Sequence, residues 1–188
     1  MRLQMNARRF LIILFPMLLV GAIAVGYKVR QLSCRRLTEI RQEEIVRQSE
    51  ELMRSYLQGD VDHARECLQK NARLLEEATV LEPIGRALLL HLTYFHLYVL
   101  EKRVGNEAAA EAALIKAQYW VLKKAELMGV NVEKAMQDIR DFTGERIFEY
   151  IDDLDRRHNN GKEPAYIRDL REKGNVVPEQ GDAAGADK

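Results

Sequence analysis

Proline is scarce in this chain: there are four in 188 residues. Runs of alternating Val, Ile or Thr are also few, while Leu, Ala, Glu, Arg and Lys abound, so sheet classes are set aside and the chain reads as all-α. Cysteine is scarcer still. Cys34 and Cys67 form no CxxC pair and have no His at ligand spacing, which excludes a disulfide framework and leaves no zinc set. Charge of one sign is not in excess, since 29 basic residues face 29 acidic ones. That balance removes any global field for nucleic acid, and electrostatic recognition must be local. The strings GxxxxGK, GxGxxG, GxSxG and DxDxDG are absent, so nucleotide binding, serine hydrolysis and EF-hand calcium binding have no motif behind them. Length bounds the rest. One domain with accessory segments fits, and two full enzyme domains do not.

Only one apolar run is long. Phe10 to Tyr27 holds 18 residues without a charge, about 27 Å as a helix and close to the hydrocarbon thickness of a bilayer. Arg8 and Arg9 precede it, Lys28 and Arg30 follow it, and Pro16 is tolerable in a membrane helix. The segment therefore predicts a single transmembrane anchor. A cleaved secretory signal stays open beside it, because Arg2, Arg8 and Arg9 make a basic start and Ala22, Ile23 and Ala24 make an A-x-A site. A short basic tail before one span stays inside, which places the remainder on the exported side, periplasmic or extracellular.

Beyond the span, the order of segments follows from glycine and proline punctuation. Residues 1–9 are a basic tail, 10–27 the span, 28–36 a juxtamembrane segment, 37–157 a helical-repeat domain, 158–173 a region with a short helix, and 174–188 a disordered tail without apolar content. Within the domain, a long amphipathic helix over 32–57 carries Leu37, Ile40, Ile45, Leu52, Met53 and Tyr56. Gly59, free to take positive φ, ends it, and Asp60 caps a second helix that runs to about Leu81. A third helix follows Pro83; its stretch Ala87 to Leu100 is apolar nearly all round and predicts the centre of the core. Gly105 and Asn106 repeat the stop-and-cap signal before a fourth helix over 107–128, and a fifth is expected over 132–157 with Gly144 weakening its middle.

The two turns are related. "GDVDHARECL" starts at Gly59 and "GNEAAAEAAL" starts at Gly105, 46 positions later. Ala64 matches Ala110, Leu68 matches Leu114, and Asn71 stands where the second copy has Ala117. Small residues let paired helices approach closely, and the Leu one turn on fills the space between them. Over residues 44–128 this pattern resembles the turn and second helix of a tetratricopeptide repeat, with helices lengthened beyond that family's period of about 34 residues. The resemblance implies antiparallel helical hairpins that bind other proteins.

No side chains assemble into chemistry. His91 and His96 are five apart and so lie on different helix faces, unlike an HExxH pair, and both read as core or rim residues. Paired carboxylates such as Glu43 and Glu44 sit beside basic residues on exposed faces, and "DDLDRR" over 152–157 reads as a solvated helix end. No catalytic, cofactor or metal residue is assigned, and no enzyme activity is expected. The functional expectation is a membrane-anchored adaptor or scaffold for a protein partner, with a groove beside the third helix and Tyr94, Tyr98, Tyr119 and Trp120 as contacts. The competing expectation is a self-assembling structural subunit of an envelope complex, paired through the long first helix.

Overall fold

In a computed structural model, the chain is described over residues 2–142 and 145–174, with side chains at 27, 28, 30–137 and 146–174. The described residues are helical without a strand: α1 (Arg2–Gln58), α2 (Val61–Glu77), α3 (Pro83–Val104), α4 (Glu107–Leu127), α5 (Val132–Phe142), α6 (Glu145–His158) and α7 (Ala165–Glu172). Two compact units divide the chain, residues 1–44 and 45–188.

The first unit belongs almost wholly to α1, which runs unbroken through 28–36, a stretch with no glycine or proline to stop it. Among its described side chains, Tyr27, Leu32, Leu37 and Ile40 are exposed. The expected span over 10–27 lies outside the described side chains except for Tyr27. Among the described residues no helix is long and apolar enough to cross a membrane. The expected tail beyond Gly174 also lies outside them.

The second unit is a bundle around α3, whose residues Thr93 to Glu101 are all buried. A helix apolar on every side needs neighbours on every side. α2, α4 and α6 pack on α3, α5 packs on α4, and α7 packs on α2. Tyr56 and Leu57 bring the end of α1 into the same core, with Leu68 and Leu75 from α2, Ile147 and Ile151 from α6, and Tyr166 and Leu170 from α7. Ala64, Ala110 and Ala117 are fully buried, the small contact surfaces the repeat requires.

The two turns are built differently. Gly105 has φ 79°, a left-handed residue that ends α3. Gly59 is not among the positive-φ glycines. Its lack of a side chain serves space instead: a Cβ there would lie 2.1 Å from His63 Cδ2. The caps do match. Asp60 Oδ1 accepts from His63 N at 2.9 Å, and Asn106 Oδ1 accepts from Ala109 N at 3.4 Å. Asn106 also donates from Nδ2 to Glu101 Oε2 at 3.1 Å, and the same buried carboxylate takes Arg65 Nε at 2.6 Å, joining α2, α3 and the start of α4.

One boundary departs from the sequence reading. α2 stops at Glu77, a turn before Leu81, because Thr79 and Val80 are poor helix formers ahead of a residue restricted by Pro83. The helix expected over 132–157 is described on either side of residues 143–144, as α5 and α6, and those two residues lie outside the described ones. Leu127, the last residue of α4, is exposed next to the chain reversal at Gly129, which has φ 67°.

Candidate functional site

A cleft of about 450 Å³ opens in the second unit beside α3. α1 contributes Ser49, Met53 and Leu57, α2 contributes Asn71, α3 contributes Leu89, Leu92, Thr93 and His96, and α6 contributes Leu154 and Asp155. Its walls are therefore mainly apolar and its floor is polar. Exposed Glu50, Arg54 and His158 also border it.

The floor is held by a buried network centred on Asp155, which is 2% exposed. Asp155 Oδ2 accepts from Tyr56 Oη at 2.6 Å and from Tyr166 Oη at 2.7 Å, and Oδ1 faces His96 Nε2 at 3.2 Å. The other ring nitrogen of His96, Nδ1, donates to the Leu92 carbonyl at 2.7 Å. A carbonyl can only accept, and a nitrogen facing a carboxylate must donate, so this geometry calls for an imidazolium. Burial opposes that charge, but the hydrogen bond and charge of Asp155, helped by the Leu92 carbonyl, outweigh it and hold His96 above its ordinary pKa. Burial first and Asp155 second push both tyrosines well above theirs.

Packing fixes these donors. Tyr56 stacks on Tyr166 with centroids 5.1 Å apart and meets His96 edge-on at 5.6 Å. Behind Tyr166, Arg103 reaches its hydroxyl at 3.3 Å and grips both oxygens of Asp152 at 2.7 and 2.8 Å. The segment over 152–157 is therefore not simply a solvated end. Asp152 and Asp155, three apart, turn inward with Ile151, while Asp153 pairs with Arg157 outside.

Chemically, this network is closed. Both His96 nitrogens are engaged, and no lone pair is left on the ring to accept a proton from a bound molecule. One polar atom at the cleft is different. Asn71 is 1% exposed, its Nδ2 donates to Thr93 Oγ1 at 3.0 Å, and its Oδ1 has no partner. Thr93 has already given its one proton to the Leu89 carbonyl at 2.9 Å, so it can only accept, and the amide oxygen is left facing elsewhere.

The four aromatic residues expected to make contacts do not line this cleft, and they divide into two pairs. Tyr94 and Tyr98 are buried. Tyr94 donates to Glu76 Oε1 at 2.5 Å beneath Lys116, whose Nζ lies 4.9 Å from the ring centroid, and Tyr98 packs near Phe148 at 6.1 Å. Tyr119 is 57% exposed and meets the half-buried Trp120 edge-on at 5.1 Å, with the Arg86 guanidinium 5.7 Å from the Trp120 ring. His91 is a core residue, its ring edge-on to Phe95 at 5.9 Å. His63 is exposed and touches Ser55 Oγ at 2.8 Å and Cys67 Sγ at 3.4 Å. Among the described residues no group of His, Cys, Asp and Glu could hold a metal ion.

The sequence reading missed Tyr56, Asn71, Asp155 and Tyr166 as a site. One signal was available: Asn71 breaks the repeat at a position where the second copy has Ala117. Comparison with protein-family models, with curated proteins and with solved structures returns no match.

Proposed function

We propose that the chain is a membrane-tethered helical adaptor that binds a partner protein in the cleft between α1, α3 and α6. The observation that carries this reading is the cleft itself: apolar side chains from three helices beside the buried His96 and Asp155, which satisfy one another, with exposed Glu50, Arg54 and His158 at its border. Apolar concavities with a few fixed polar atoms are where helical modules seat partner segments. The apolar sequence of Phe10 to Tyr27 supports the tether, and the tetratricopeptide-like turns support a protein ligand over a small substrate. Local concentration at a bilayer would let a modest cleft act effectively.

A second reading has its own support. Leu32, Leu37 and Ile40 are exposed on α1, apolar side chains through which copies could pair. The two readings separate in one experiment. A diazirine residue at Leu92 in the native host should give an adduct with another protein, and one at Leu37 should not depend on it. If position 92 yields no heterologous adduct while position 37 yields dimers of the chain, the structural-subunit reading replaces the adaptor. The tether is tested separately: the full-length chain should stay with membranes through an alkaline carbonate wash, and a mature N-terminus at Val25 would replace the anchor with a cleaved signal.

A further inference from the structure

We infer that α1, just past the apolar run, binds the anionic lipid headgroups of the leaflet beside it through Lys28, Arg30, Arg35 and Arg36; this rests on the tether in the reading above and not on the cleft. Charge balances over the whole chain but not along it. The first acidic residue is Glu39, so every Lys, Arg, Asp or Glu before it is basic. The four cations follow directly on the apolar run and are exposed on α1. Glu39 is one turn from Arg35, yet among the described residues none of the four takes part in an ion pair; pairs on α1 lie further on, as at Arg47 with Glu51. Four like charges along about 12 Å of helix repel one another, and nothing in the fold offsets that. Their counter-charge comes from outside the chain.

The placement of the cations favours lipid over a protein as the source. At about 100° per residue, Lys28, Arg35 and Arg36 fall within an arc of about 100°, and Arg30 lies nearly opposite. A partner docked on one face would leave the other side unmet. A headgroup layer surrounds a helix that rises out of it and meets both sides. Depth agrees as well: the interfacial layer is about 5–8 Å thick on each side of a bilayer, and its negative potential extends about 10 Å further at 0.1 M salt. Side chains of a helix lean toward its N-terminus, which here is the bilayer side, so the long Arg35 and Arg36 side chains start out directed at the headgroups. Electrostatic recognition, absent from the chain as a whole, is local to this segment.

The test uses the full-length chain carrying a donor dye on the exposed Cys34, Cys67 being buried, in phosphatidylcholine vesicles with a trace of acyl-chain-labelled acceptor lipid. Energy transfer compares acceptor phosphatidylglycerol with acceptor phosphatidylcholine. At about 0.01 M salt the anionic acceptor should be enriched about fivefold, the factor that one cation near an anionic surface gives. At about 1 M salt, where the screening length is about 3 Å, the two should agree. Lys28→Gln, Arg30→Gln, Arg35→Gln and Arg36→Gln combined keep good helix formers and should abolish the preference. Equal transfer at low salt, or a preference that survives high salt or the combined variant, would overturn the inference. So would an acidic protein captured by a diazirine at Arg35 in the native host without any lipid preference in vesicles. A mature chain starting at Val25 keeps all four cations, so the tether and the inference fail separately. Its sedimentation with phosphatidylglycerol vesicles at low salt would preserve the headgroup site without the anchor, and its absence from the pellet would end both.

Discussion

His91 should make the fold sensitive to acid, and replacing it by leucine should remove that sensitivity. Burial first and the charge of Lys124 second depress its pKa from 6.5 to about 4, against the opposing bond to the Ala87 carbonyl. The folded value lies below the unfolded one, so the fold prefers the neutral ring. Above pH 6.5 both states are neutral and nothing is lost. As pH falls towards 4, the unfolded chain takes up a proton that the folded chain refuses, and stability declines by about 3 kcal/mol over about 2.5 pH units. His91→Leu keeps a side chain of similar volume beside Phe95 and should change stability at pH 7 by less than about 1.5 kcal/mol. Urea unfolding followed by the fluorescence of Trp120 measures both proteins at pH 7, 5.5 and 4.5. Carboxylates titrate in both and cancel in the difference, so only the His91 contribution survives. With a slope of about 1–3 kcal/mol/M, the variant's midpoint should gain about 1–3 M on the original as pH approaches 4. Two curves that fall in parallel would refute the reasoning.

His96 has the opposite sign. Its raised pKa gives stability that is complete below pH 6.5 and lost as pH rises through the folded value, so His96→Gln should flatten the alkaline side of the same profile. Asp155→Asn should cost about 3–5 kcal/mol in urea unfolding at pH 7, because it leaves a buried imidazolium without its counter-charge, and a loss under 1 kcal/mol would show that the pair is not formed. The two hairpin glycines should separate on replacement by asparagine, which tolerates left-handed backbone. Gly105→Asn should cost under about 1 kcal/mol, since nothing lies within 4 Å of its Cβ, whereas Gly59→Asn must displace His63 and should cost about 1–3 kcal/mol. Equal losses in thermal unfolding would contradict that division. Asn71→Leu should raise stability by about 1 kcal/mol in urea unfolding, and a destabilised variant would mean that the Thr93 hydrogen bond outweighs the unpaired oxygen.

Much of the scaffold was legible because it depends on local chemistry. Asp60 and Asn106 cap helices since their side chains can reach amides three residues on, and Ala64 and Ala110 are buried since nothing larger fits where helices touch. The network around Asp155 was not legible, and the reason is separation along the chain. Tyr56 and Asp155 are 99 positions apart, and Arg103 reaches Asp152 across 49. No spacing rule joins residues at such distances. Charged residues at a helix end are most often solvated, and what turns Asp152 and Asp155 inward is the arrival of α7 with Tyr166 and of the last turn of α1 with Tyr56.

Asn71 lies between these cases. Its position was fixed by the repeat, and its departure from the repeat was visible, but a polar residue on an otherwise small, apolar stripe has two explanations until its partners are known. If Thr93 and a second group had satisfied both ends of the amide, Asn71 would be an ordinary core hydrogen bond that helps to set the register of α2 on α3. Only one end is satisfied. The amide therefore contributes to folding only the Thr93 hydrogen bond, less the cost of its unmatched oxygen, so its net worth is small and its sign is set by which of the two is larger.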